Sequence, residues 1–212
     1  MNCKRLVILS ALGVLLLSAS QVSAQVLANP GFESPIIFMG PNGIGNWFGF
    51  NGGGGTGAGN ANIQPHSGQM HLLLEIPGSN NNFAGAFQDV TGVVPGQTAT
   101  FGVWHKADGL FDIGAELRIE WRTPDDLTEV SRTPNFVPTL TSDYVQYSMN
   151  GVVPAGAGIA RVVYAIQSFG DGGTNTGRVF VDDATFSVVP EPTTLALFGC
   201  VAAGLAFVRR RS

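Results

Sequence analysis

Between Gln25 and Val188 the apolar residues recur at every second position, the period of a strand with one buried face. Met70, Leu72, Leu74 and Ile76 alternate with their neighbours, as do Phe101 and Val103, then Leu117, Ile119 and Trp121. Val145, Tyr147 and Met149 repeat the pattern, as do Val162, Tyr164 and Ile166. Val179 to Val188 predict a last strand, in which strict alternation puts Phe180, Asp182, Ala184 and Phe186 on one side. Turn chemistry separates the runs at Val94-Pro95-Gly96, Pro124-Asp125-Asp126, Pro154-Ala155-Gly156 and Asp171-Gly172-Gly173. No long stretch carries a 3.6-residue face. The pattern predicts an all-β chain, an antiparallel β-sandwich or barrel.

The two ends read differently. Lys4 and Arg5 precede an apolar run from Leu6 to Leu17, followed by Val22-Ser23-Ala24. This predicts a secretory signal peptide over residues 1–24, removed after Ala24. At the other end, residues 189–212 hold Pro190-Glu191-Pro192, an apolar stretch from Thr193 to Val208, and Arg209-Arg210-Arg211. As a helix that stretch spans about 24 Å at ~1.5 Å per residue, short of a hydrocarbon core of about 30 Å. It predicts a short transmembrane helix with the arginines on the cytoplasmic side. Cys3 and Cys200, the two cysteines, both lie in these end segments. The body, 25–188, therefore has no disulfide, thiolate metal site or cysteine nucleophile. It holds six basic residues against fourteen acidic ones. An acidic body with no basic stripe excludes a nucleic-acid partner.

The order Pro190-Glu191-Pro192, apolar helix and arginine cluster resembles the PEP-CTERM sorting signal of Gram-negative bacteria. The resemblance implies processing by an exosortase, a membrane transpeptidase-like enzyme, after transient residence in the inner membrane. It also implies a final place in the cell envelope, at the cell surface or outside the cell, in organisms that make extracellular polysaccharide.

A second set of residues covers nearly the whole body. Asn29-Pro30-Gly31-Phe32-Glu33, His66-Ser67-Gly68, Val94-Pro95-Gly96-Gln97, Phe101-Gly102-Val103-Trp104, Tyr144-Val145-Gln146-Tyr147-Ser148 and Val181-Asp182-Asp183-Ala184 occur in that order. Together they resemble the galactose-binding-domain-like jelly roll of many carbohydrate-binding modules. A carboxylate among phenylalanines must be paired. The resemblance implies a structural calcium held by Glu33 and Asp182, with Asp183 as the alternate. The other reading of these acids is that they accept backbone N–H bonds.

Sugars stack their apolar faces on aromatic rings. Trp104 lies opposite Phe101 and Val103, with Lys106 on its own side and His105 beside it, and Trp47 precedes a glycine-rich loop. Trp104, His105 and Trp47 are the expected carbohydrate-binding residues; Trp121 is expected in the core. Gly52 to Gly59 has dinucleotide-loop spacing without the βαβ context, so it reads as a surface loop. No catalytic residues are assigned: there is no Gly-x-Ser-x-Gly elbow and no His-Glu-x-x-His motif. Glu116 and Glu120 are spaced as a glycosidase pair but sit beside Arg118 and Arg122, which reads as a solvated charge ladder. The expected function is a non-enzymatic exported protein that binds or organises extracellular polysaccharide. The alternatives are a structural or adhesive surface protein without a sugar site, and a polysaccharide hydrolase or lyase.

Overall fold

The computed structural model describes residues 27–38, 43–109, 112–168 and 175–189. Eleven strands appear there and no helix. They are β1 (Ile37–Phe38), β2 (Phe48–Asn51), β3 (Gly57–Ala61), β4 (His71–Pro77), β5 (Phe83–Thr91) and β6 (Thr98–Ala107). β7 (Gly114–Arg122), β8 (Glu129–Arg132), β9 (Val145–Val152), β10 (Ile159–Gln167) and β11 (Thr176–Val189) follow. A six-stranded sheet has the order β1-β2-β5-β10-β7-β8, and a five-stranded sheet the order β3-β4-β11-β6-β9. Every pairing is antiparallel except β1 with β2, so the expected all-antiparallel sandwich is slightly mixed.

The core lies between the sheets. Leu72, Leu74, Ile76, Phe101, Val103, Leu117, Ile119, Val162, Ile166, Val179 and Val181 are all fully or almost fully buried, and Trp121 joins them as expected. Each such side chain contributes roughly 1.5–3 kcal/mol by leaving water. One polar pair crosses this layer. The His105 Nε2–H donates to the Thr139 carbonyl at 3.2 Å, which leaves Nδ1 to accept from the Tyr164 hydroxyl at 2.5 Å. Burial pushes His105 down to about 4 and Tyr164 well up, so both stay neutral.

The last strand departs from strict alternation. Its pairing with β6 slips between Asp182 and Thr185, a β-bulge, and Asp183 takes a left-handed φ of 45°. Phe180 and Asp182 therefore face outward, but Ala184, Phe186 and Val188 join the core. The four residues do not share a face, because the extra residue at the bulge reverses the parity.

The sandwich has two poles. One gathers the starts of β5 and β7 and the end of β10 with the start of β11, tied by Gly78 N–H to Asn175 O and Asp112 N–H to Thr176 O. At the other, Gly92 N–H bonds Gly158 O and Gly96 N–H bonds Val153 O. Val189 ends β11 at that second pole, paired with Thr98.

Candidate functional site

Each sheet has an outer face, and the two are finished differently. On the five-stranded sheet the outward side chains include His71 and Leu73 of β4, Phe180 and Asp182 of β11, and Trp104 and Lys106 of β6. A segment from Gln64 to Met70 lies across them. Asp182 Oδ2 accepts the N–H groups of His66 and Ser67 at 2.9 and 3.1 Å, and its Oδ1 accepts Asp183 N–H at 2.8 Å. Asp183 accepts from the Ser67 hydroxyl at 2.7 Å and from His66 Nδ1 at 2.6 Å. Glu33 Oε1 accepts from Gln69 N and Met70 N at 2.9 and 3.2 Å. It reaches them across Gly68, whose φ is +60° and where an added Cβ would lie 1.9 Å from that oxygen; only glycine fits. Lys106 Nζ and the Tyr144 hydroxyl both donate to Gln64.

The latch and the core between them account for the three expected carbohydrate-binding residues. Trp104 is on the outer face, half buried, but the His66 ring is stacked on it with centroids 4.1 Å apart and 17° between planes. One face of the indole is thus already occupied. His105 points into the core and reaches no surface. Trp47 has no exposed area: it packs on Phe32 at 4.9 Å and donates through Nε1 to Asn29 O, so it is a core residue rather than a platform. Glu33, Asp182 and Asp183 do converge around Gly31, as the calcium expectation required. N–H and O–H donors engage Glu33 Oε1 and both oxygens of Asp182 and of Asp183, in keeping with the other reading of these acids. Among the described residues no group of three or more His, Asp and Glu side chains is placed to hold a metal. Burial, with Asp183 nearby, raises the Asp182 carboxyl above its ordinary range.

The six-stranded sheet is open. One cross-strand row runs Phe50–Gly85–Ala165–Glu116 and the next Phe83–Gln167–Gly114. At ~4.8 Å per strand, Phe50 and Glu116 stand roughly 14 Å apart over a floor of a glycine and an alanine. Gly85 is required: a Cβ there would lie 2.4 Å from the Phe50 ring. The result is a groove of about 320 Å³ lined by Phe50, Phe83, Glu116, Arg118, Asn135 and Gln167 among others. That is the size range of ligand pockets. A smaller hollow of about 130 Å³ shares Glu116, Asn135 and Gln167 and extends it. Phe50 packs against Phe83 and Phe87, building one aromatic wall.

The opposite wall is ionic. Arg118 donates to Glu116 and, from Nε at 2.7 Å, to Glu120. Both glutamates are buried, at 5% and 7% exposure, so the row is not the solvated ladder expected from the sequence. Neighbouring strand β8 and Asn135, which donates to Glu116, cover it. Sequence reasoning missed this site. Of the outward aromatics, Phe48 and Phe50 are two apart and Phe83 and Phe87 four, even spacings that put each pair on one face of its strand, and that was its available signal.

Residues 188–211 match the PEP-CTERM protein-sorting motif. Pro190, Glu191, Pro192 and Arg209 to Arg211 fall within it. The expected signal peptide and C-terminal helix lie outside the described residues, among which no helix is long and apolar enough to cross a membrane.

Comparison with solved structures shows the jelly-roll β-sandwich fold of carbohydrate-binding modules. The xylan-binding domain CBM22-1 from Paenibacillus barcinonensis Xyn10C has a TM-score of 0.55 at 12% identity, over 82% of this chain and 100% of that one. TmCBM61, solved with β-1,4-galactotriose, has a TM-score of 0.51 at 14% identity, over 77% and 98%. The enzymatically active domain of bacteriophage CBA120 tailspike protein 4 has a TM-score of 0.59 at 17% identity, over 78% of this chain and 21% of that one. Likeness at such identities fixes the fold and not the ligand. No curated protein matches the chain.

Proposed function

We propose that the chain is an exported, non-enzymatic glycan-binding protein of the cell envelope or exterior, and that it holds extracellular polysaccharide in the open groove of the six-stranded sheet. The observation that carries this is the groove itself: an aromatic wall of Phe50 and Phe83 faces amide and carboxylate groups across a floor of Gly85 and Ala165. Phenyl faces suit the C–H faces of a sugar ring, and the polar wall suits its hydroxyls. Two of the proteins that share the fold are described as bound to galactotriose or as xylan-binding, which supports the reading.

The sorting motif supports export and handling by an exosortase. Val189 leads into it from the pole opposite Phe83 and Gln167. A chain held by its tail would therefore present the aromatic end of the groove away from its attachment. The test is retention of the full-length chain, purified in detergent, by a panel of immobilised polysaccharides. Saturable retention that Phe83→Ala weakens about tenfold, without a change in melting, is expected; stacking is worth roughly 1.4 kcal/mol on that scale. No retention by any polymer would overturn the reading, and shortening of the polymer would favour a hydrolase or lyase.

A further inference from the structure

The groove has arginines and yet, among the described residues, offers no free cation. Arg118 lies between Glu116 and Glu120 and donates to both. Arg132, at the rim, makes two bonds of 2.6 Å to Glu129 and sits 3.9 Å from Glu120. Three carboxylates thus serve two guanidiniums, and the wall carries excess negative charge. The other arginines of the described body are paired as well. Arg122 pairs with Asp126, Arg161 with Asp89 and Asp126, and Arg178 with Asp108. Lys106, on the other sheet, donates to Gln64 within the latch.

We propose that this pairing makes the groove selective for uncharged glycans, with Glu116 on its lining as the carboxylate that excludes acidic ones and Glu129 holding the rim guanidinium of Arg132. The proposal rests on the glycan-binding reading above and names the class of ligand. A uronate or sulfated sugar entering the groove loses water from its charge and needs a cation in return. Both guanidiniums are already committed there, and the nearest unspent charge is negative. Like charges brought together at a partly dry surface are strongly unfavourable. A neutral sugar meets none of this. Its hydroxyls donate to the outer lone pairs of Glu116 and exchange bonds with the side-chain amides of Asn135 and Gln167.

The test presents the full-length chain, in detergent, with matched polymers: neutral polysaccharides, polygalacturonate, and the same polygalacturonate after carboxyl reduction. Neutral polymers are expected to bind at least roughly tenfold more tightly than their acidic counterparts, the scale of one unfavourable charge contact. Glu129→Gln frees Arg132 from its partner at the exposed rim. It should raise binding to acidic polymers and leave binding to neutral ones unchanged, with the gain lost at high salt. Glu116→Gln, checked for unchanged melting, should narrow the same ratio. Acidic polymers binding as well as neutral ones would overturn the selectivity while leaving glycan binding intact. Loss of binding to every polymer would overturn the glycan reading itself.

Discussion

The two outer faces are built from the same kind of strand, yet one is closed and one is open. On the five-stranded sheet the residues that look most like a sugar site, Trp104 with Tyr144 and Lys106 nearby, are engaged by the chain's own loop. On the six-stranded sheet a less conspicuous set, Phe50, Phe83 and a buried ionic row, borders empty space. Aromatic residues mark a ligand site only where their partners leave a face unfilled. The difference is made by carboxylates: Asp182, Asp183 and Glu33 hold the latch down, whereas Glu116 and Glu120 are tied sideways to Arg118.

Breaking the latch should have the largest effect. Asp182→Ala leaves the His66, Ser67 and Asp183 N–H groups without their acceptor and opens a hole beside Phe180. We expect a loss of about 3 kcal/mol in chemical denaturation, with groove binding retained in the protein that remains folded.

Acid should weaken the layer between the faces by a similar amount. His105 is held at about 4 in the folded protein, below its ordinary value of 6.5. Its contribution is present above pH 6.5 and is lost as pH falls from there through 4, on the order of 3 kcal/mol in all. His71, also lowered by burial, acts in the same direction. Melting followed between pH 7 and 4 checks this, and His105→Gln should flatten the curve.

How much of this was legible in the sequence depended on which face each residue serves. The core strands were readable because Leu117, Ile119 and Trp121 alternate with charged residues, and because Leu72, Leu74 and Ile76 recur at every second position. Strand β5 was not, because its inward residues Ala84 and Ala86 are small while its outward ones, Phe83 and Phe87, are large. Alternation there points the wrong way, and the groove was lost with the strand. The bulge at Asp183 was equally silent, since nothing in Val181-Asp182-Asp183-Ala184 shows where the pleat slips. The acids of the latch were legible as a group, but which donors meet Asp182 and Glu33 was not: backbone N–H groups leave no trace in a sequence.

A smaller effect sharpens the comparison further. Because N–H donors already engage Glu33, Asp182 and Asp183, chelator and excess calcium should leave the melting temperature unchanged. A calcium-dependent rise would show that an ion replaces those donors and that the latch is a metal site after all.

The most direct measurement compares the two faces in one titration series. Binding of a retained neutral polysaccharide is measured for the full-length chain, for Phe50→Ala with Phe83→Ala, and for Trp104→Ala. The groove variant is expected to lose binding at least tenfold, about 1.4 kcal/mol or more, while Trp104→Ala binds as the parent does. Loss of binding in Trp104→Ala, with the groove variant unaffected, would contradict the assignment of the site to the open face.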